Sequence, residues 1–240
     1  MKNLAKVVYL QNENLYKKYK NNFDVVSFKN VDMEPYIDFF DLVLKIKNYV
    51  LKNEKDLIYV YYDYSDEVGH KYSQEQYGEK LLSMFLSYLF ENIIEPSIDN
   101  GYRIIITSDH GQVSFNKKKI VNFKINSSFM KHLFYRPWGT HRVMFFEVLE
   151  NHYKAFENEI MKKISGKALL FRSDELIDDG IYIKKVNDRF RYRFGNYTLI
   201  ALDNFEFYYN ETPQFYINLK GSHGGLSSEE MLIPKLTIEN

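Results

Sequence analysis

The sequence predicts an α/β fold, and three observations carry that reading. Leu57-Ile58-Tyr59-Val60-Tyr61-Tyr62 and Arg103-Ile104-Ile105-Ile106-Thr107 are unbroken apolar, β-rich runs, the pattern of strands buried in a parallel sheet. Between them, residues 74–94 have helical character and stop near Pro96, which cannot continue a helix. Strand, loop, helix, strand is a βαβ unit, whose two strands run parallel with a right-handed crossover. Similar alternation along the rest of the chain predicts an α/β sandwich.

The remaining elements follow in order. Val7-Val8-Tyr9-Leu10 reads as a short strand and residues 24–28 as a weaker second one. Asp32 caps a helix over residues 34–51, with Ile37, Phe40, Leu44 and Ile46 near helical spacing. Asn100-Gly101 makes a turn. Beyond a loop, strands are predicted at 143–148, 168–171 and 197–202, and helices at 153–164 and 174–177. A final strand at 232–236 is interrupted by Pro234, which places it at a sheet edge. No internal repeat or low-complexity tract divides the chain, so residues 1–240 read as a single domain.

Composition narrows the classes of function. The 240 residues suffice for one sizeable core, and 45% hydrophobic with 27% charged residues is the profile of a globular chain rather than a disordered one. Lys+Arg and Asp+Glu both number 32, which gives no support to nucleic acid or a membrane surface as a partner. The absence of cysteine excludes disulfides, thiolate catalysis and cysteine-based metal sites. No apolar run is long enough to span a bilayer, and no signal-peptide core follows Met1-Lys2. The cytoplasm is the expected location.

Three segments bear metal-binding chemistry: Asp66-Glu67-Val68-Gly69-His70, Ser108-Asp109-His110-Gly111, and Gly221-Ser222-His223-Gly224-Gly225. The first two follow the ends of predicted strands, where functional groups collect in an open parallel sheet. Carboxylate oxygen with imidazole nitrogen suits zinc, and also manganese or iron. Each segment alone has an ordinary explanation: a coincidental spacing, a loop turn, an exposed histidine. Their occurrence together and in order is what argues for a site.

These segments also carry a family resemblance. Residues 61–72 resemble the Asp-x-x-x-Gly/Ser-His-x-Tyr/Phe segment of the type I phosphodiesterase/nucleotide pyrophosphatase family, a branch of the alkaline phosphatase superfamily. Thr107-Ser108-Asp109-His110-Gly111-Gln112 is similar to its Ser/Ala-Asp-His-Gly segment, and residues 223–234 to its terminal His-Gly-Gly block. The resemblance runs from about residue 55 to the C-terminus. It implies a three-layer α/β/α alkaline-phosphatase-like sandwich with a mostly parallel sheet, truncated and incomplete at the N-terminal side. It implies two divalent ions, zinc or alternatively manganese or iron. Asp66, His70 and His223 would hold one; Asp109 and His110, with an additional Asp and a Thr or Ser nucleophile, would hold the other. The implied reaction is hydrolysis of a phosphodiester or pyrophosphate bond in a phosphate-ester small molecule, through a covalent intermediate.

The resemblance leaves the nucleophile unmatched. No threonine precedes Thr107, and the only serines ahead of Asp66 are Ser27 and Ser65. Ser65 adjoins a ligand, and Ser27 lacks the strand-to-helix setting. Gln11-Asn12-Glu13 stand where the first strand should end in Asp. The expectation is an incomplete second metal site and no attacking hydroxyl. Such a chain is half of a split enzyme, completed by a partner polypeptide supplying the N-terminal half, or a truncated, catalytically inactive remnant, or a protein that keeps one metal for a binding, regulatory or scaffold role.

Other residues have narrower expectations. Asp63 orients a ligand or replaces one. His141 and Arg142 lie in a loop that could reach a substrate phosphate. His132 and His152 read as surface residues, and Lys117-Lys118-Lys119 as a solvated run. Glu229 and Glu230 cap or orient the terminal loop.

Overall fold

Val7, Val8, Tyr9 and Leu10 do form a strand, as their β-branched and aromatic side chains favour. The computed structural model describes residues 5–19, 31–114, 117–182, 187–210 and 218–239, and the strand expected at 24–28, with Ser27, lies outside them. The chain divides into two compact units. One comprises Met1–Val68, Tyr77–Ser108 and Pro234–Asn240, the other Gly69–Gln76 and Asp109–Ile233. Because the backbone passes repeatedly between the units, no single linker exists for composition to reveal.

In the first unit, β1 (Val7–Asn12) is followed by α1 (Glu13–Tyr19), β2 (Val31–Tyr36), α2 (Phe39–Lys52) and β3 (Leu57–Val60). The three strands form a parallel sheet in the order β2-β1-β3, with Val7 opposite both Val31 and Leu57. The helix expected from residue 34 is instead β2 and then α2. Pairing with β1 captures residues 31–36, and Pro35 biases Glu34 to an extended conformation. The cap is Asp38, not Asp32: its carboxylate accepts the Asp41 N–H at 2.9 Å. Asn53, in the left-handed region at φ 48°, ends the helix by donating to the Tyr49 and Val50 carbonyls. Leu42, Ile46 and Val50 pack with Val8, Leu10 and Tyr36 as the core of this unit.

Next come α3 (Tyr64–Tyr72), α4 (Gln74–Leu89), a π-turn (Phe90–Ile94), α5 (Glu95–Asp99) and β4 (Ile104–Thr107). The expected parallel pairing of the two apolar runs is not found among the described residues. β3 pairs with β1, and β4 pairs antiparallel with the C-terminal strand Lys235–Ile238, which starts directly after Pro234. The Thr107 hydroxyl fixes that junction by donating to the Pro234 carbonyl at 2.8 Å. Nor are the runs fully buried: Tyr59 is 51% exposed, as an edge strand allows.

The second unit contains β5 (Val113–Ser114), β6 (Ile120–Phe123), β7 (Trp138–Gly139), β8 (Val143–Phe146), α6 (Tyr153–Ile164), β9 (Ala168–Arg172), α7 (Ser173–Asp178), α8 (Asp188–Arg191), β10 (Tyr197–Ala201), β11 (Glu206–Tyr209), β12 (Gly221–Ser222) and α9 (Ser228–Met231). An antiparallel sheet in the order β7-β8-β10-β9 carries α6, whose Phe156, Ile160 and Ile164 recur every fourth residue and are fully buried. Phe146 sits among Phe123, Phe129 and Phe156, with ring centroids 5.4–6.4 Å apart. β6 and β11 are parallel, while β5 and β12 are antiparallel.

The sheet is therefore fragmented and only partly parallel, not the mostly parallel sandwich expected. Apolar runs encode strands, but their partners depend on contacts distant in sequence. His132 departs from expectation too. It is buried, with its Nδ1 3.0 Å from Nδ1 of His152 and its Nε2 3.5 Å from Glu159. Lys119, expected in a solvated run, lies over the Phe205 ring at 4.3 Å. Among the described residues, no helix is long and apolar enough to cross a membrane.

Truncating Phe146 removes the centre of the aromatic cluster. Phe146→Ala is expected to cost about 3–5 kcal/mol, read as a lower urea midpoint. Phe190→Ala, at an exposed position, is expected to stay within about 0.5 kcal/mol of the parent protein.

Candidate metal centre

Helix α3 begins after Asp63, whose carbonyl accepts the N–H groups of Asp66 (3.1 Å) and Glu67 (3.3 Å). Asp63 thus fixes the first turn through its backbone. Asp66 and His70 are one turn apart on this helix, so they share a face. Asp66 belongs to the first unit, where it is half-buried. His70, Asp109, His110 and His223 belong to the second.

Within the second unit, local backbone geometry aims these side chains. The Gly111 N–H donates to the Glu230 carbonyl at 2.8 Å, and a Cβ at Gly111 would collide with the Glu229 carbonyl oxygen. Only glycine permits that approach, which sets Asp109 and His110 beside the terminal loop. His223 follows β12, and the chain then turns through Gly224 at φ 106°, a conformation L side chains rarely adopt.

The three imidazoles converge. The His110 and His223 rings stack with centroids 3.6 Å apart and planes 12° apart, and His70 lies 5.2 Å from His223. The Asp109 carboxylate is 3.7 Å from His110 Nε2. His70 Nδ1 is 2.7 Å from the Gly221 carbonyl and His110 Nδ1 is 2.9 Å from the Gly111 carbonyl. A carbonyl only accepts, so each Nδ1 carries the proton and each Nε2 carries the lone pair. A metal-ligating histidine is commonly oriented in this way, with its other N–H on a carbonyl. The donor set therefore fits a divalent ion.

Arg142 is placed differently from its expectation. Its side chain is 0% exposed, and Nε and Nη2 donate to the two Glu230 carboxylate oxygens at 2.9 and 2.8 Å. Nη2 also reaches the Asp203 carbonyl at 2.6 Å, and Nη1 donates to the Phe205 carbonyl. A guanidinium so engaged and buried does not meet a phosphate. Glu230 in turn accepts the Gly225 N–H at 2.8 Å. Burial alone would raise the Glu230 carboxyl, but Arg142 and the backbone N–H hold it below its ordinary value. The expectation that Glu230 orients the terminal loop thus gains a partner that spacing could not supply.

His141 stacks on the Tyr208 ring at 4.1 Å. Burial, and secondarily the nearby His70, lower its pKa and favour the neutral ring. Tyr208 donates to Glu206 at 2.7 Å, and burial pushes the Glu206 carboxyl up. Glu206 is fully buried in β11, a role not read from the sequence. The one available signal was an acidic residue opening the otherwise aromatic run Glu206-Phe207-Tyr208-Tyr209.

The family description type I phosphodiesterase / nucleotide pyrophosphatase matches residues 6–226. The chain belongs to this family. The match starts well ahead of residue 55, so the first parallel sheet lies within the family region, and it ends before the terminal block does. Mouse ectonucleotide pyrophosphatase/phosphodiesterase family member 7 is 30% identical over 111 residues, covering 41% of this chain and 25% of that protein. Among solved structures, murine ectonucleotide pyrophosphatase/phosphodiesterase 5 aligns with a TM-score of 0.69 at 18% identity, covering 98% of this chain and 61% of that one. An inactive threonine-to-alanine variant of the same murine protein, in complex with AMP, gives 0.66 at 17% identity, covering 97% and 60%. Phosphonoacetate hydrolase from Sinorhizobium meliloti 1021 in complex with phosphonoformate gives 0.62 at 14% identity, covering 97% and 65%. These structural likenesses concern the fold. This phosphodiesterase-family chain spans a quarter of the curated relative and about three fifths of the solved chains.

Two outcomes follow from the geometry. Arg142→Ala strands the buried Glu230 carboxylate and is expected to cost about 3–5 kcal/mol, measured by urea unfolding. For His141 the folded pKa lies below the unfolded value near 6.5. Its contribution is complete above that value and is lost as pH falls, because the unfolded chain binds the proton first. Between pH 8 and pH 5, His141→Phe is expected to lose less stability than the parent protein.

Proposed function

We propose that this chain binds divalent metal and serves hydrolysis of phosphodiester or pyrophosphate bonds in a nucleotide-like phosphate ester. The observation that carries the reading is the convergence of His70, His110 and His223, with two of the rings held in the ligating tautomer by backbone carbonyls. In this reading Asp66, His70 and His223 hold one ion, and Asp109 and His110 contribute to a second. The carboxylate–imidazole donors suit zinc, with manganese or iron as alternatives. Bound ions would polarise a phosphoryl oxygen and lower the pKa of an attacking hydroxyl. Among this chain's own groups, Gly221 and Gly111 fix the ring tautomers, and Glu230 with Arg142 holds the loop that presents His223.

Family membership supports a hydrolase. The stretch of the family match before Thr107 contains no threonine. That supports turnover assisted by a second polypeptide. It also favours the alternative, a catalytically inactive metal-binding or scaffold protein.

Metal binding is tested first. Zinc or manganese at about 100 times its Kd is expected to raise unfolding stability by about 2.7 kcal/mol, reversed by chelator and lost in the His70→Ala/His223→Ala double variant. A chain that carries no transition metal and gains no thermal stability from one refutes the reading. With bis(p-nitrophenyl) phosphate, turnover abolished in Asp109→Ala supports the hydrolase assignment. Turnover that persists in that variant excludes these residues. No turnover by a metal-loaded chain leaves the scaffold reading.

A further inference from the structure

The Arg142–Glu230 pair ties the His110 segment to the His223 segment, through Gly111 and Gly225. His70 stands on a separate element, α3, so its distance from the other two rings needs its own support. Two hydrogen bonds join it to the chain just before His223. The Lys220 N–H donates to the His70 carbonyl at 2.7 Å, and His70 Nδ1–H donates to the Gly221 carbonyl at 2.7 Å. Gly221 packs so closely on Gly69 that a Cβ there would collide with the Gly69 carbonyl oxygen. The buried side chain of Gln112 closes this junction. A Cβ at Gly69 would overlap its carboxamide oxygen, and a Cβ at Gly221 would come within 3.0 Å of the same atom. One carboxamide thus lies against the residue before His70 and the residue two before His223, while its own backbone lies two residues after His110.

We propose that Gln112 is a positioning residue of the candidate metal centre, whose side chain sets how far the His70 ring stands from His110 and His223. The inference rests on the metal-binding reading above and adds to it a residue that supplies no ligand atom. Gln112 can transmit position because its backbone is fixed on both sides. The Gly111 N–H donates to the Glu230 carbonyl at 2.8 Å, and Val113 pairs with Ser222 where β5 meets β12. A side chain extending from so fixed a backbone acts as a spacer, and glycine at 69 and 221 leaves room for it. Alanine suits a helix better than glycine does, so Gly69 within α3 has a packing reason: the space an alanine methyl would take is the space Gln112 fills. Without the spacer the Gly69-His70 turn can shift towards β5, and His70 Nδ1–H loses its alignment on the Gly221 carbonyl. The ring is then no longer held to one tautomer, and its Nε2 lone pair is no longer aimed.

Zinc affinity is measured by competition with a chromogenic chelator, and ring tautomers by nitrogen NMR of the metal-free chain. Gln112→Ala is expected to raise the zinc Kd about 10–100-fold, the usual effect of losing a group that orients a ligand. Gly69→Ala keeps Gln112 but drives its carboxamide aside, so it is expected to weaken binding by a similar factor. In Gly69→Ala/Gln112→Ala the new methyl enters vacated space, so the second substitution adds no further loss. In the metal-free parent His70 is expected as the single Nδ1–H tautomer, and in either single variant as a mixture of both. Zinc bound by Gln112→Ala as tightly as by the parent, or losses that multiply in the double variant, overturn the proposal. So does a His70 ring that stays wholly Nδ1–H in the single variants. Gly69→Ala alone decides the point should Gln112→Ala not fold. A parent chain that takes up no zinc refutes the metal-binding reading, while the metal-free spectra still decide whether Gln112 positions His70.

Discussion

The second unit is organised around one buried ion pair. Arg142 and Glu230 are 88 residues apart in sequence and almost wholly removed from water. Burying two charges is costly unless every lone pair and N–H finds a partner, and here nearly all do. The pair joins the β8 region to the terminal loop. Through Gly225 N–H and the Glu230 carbonyl, which accepts from Gly111, it fixes the segments that carry His110 and His223. An ion pair of this kind is weak evidence for stability by itself. Its value here is geometric, because it determines where His110 and His223 stand.

The same logic extends to the rings. A histidine can ligate through either nitrogen, and the choice is made by what the other nitrogen does. In His70 and His110 a backbone carbonyl makes that choice. The supporting chemistry is thus mostly main-chain, supplied by glycine-containing segments that side chains could not enter. In the same unit stand three linked titratable groups: half-buried His141 with its pKa lowered, buried Glu206 with its pKa raised, and Tyr208 between them. Their shifts arise chiefly from burial and so depend on the unit staying closed to water.

The family match reaches back to residue 6, which brings the β2-β1-β3 sheet into the shared architecture. This chain carries the three Asp/His segments on an α/β frame that spans only part of the length of its relatives. Fold similarity alone does not fix a substrate, since one frame supports several phosphate and phosphonate chemistries.

The residues that could be read in advance are those whose role is local. Asp66 and His70 share a helix face through their spacing, and Asp109-His110-Gly111 follows a strand because an apolar run precedes it. Gly224 stands where φ is positive because only glycine tolerates it. The sequence by itself determined the α/β class, most strand and helix positions and the placing of Asp66 with His70 on one helix and of Asp109-His110 after a strand, since each depends on residues within about a turn of one another. Tertiary structure alone decided that β4 pairs antiparallel with the C-terminal strand, that residues 31–36 form a strand rather than a helix, and that Arg142 is buried on Glu230. The physical reason is common to all three: pairing and ion-pair partners lie tens of residues away, and no local propensity specifies which distant group will be closest once the chain is folded.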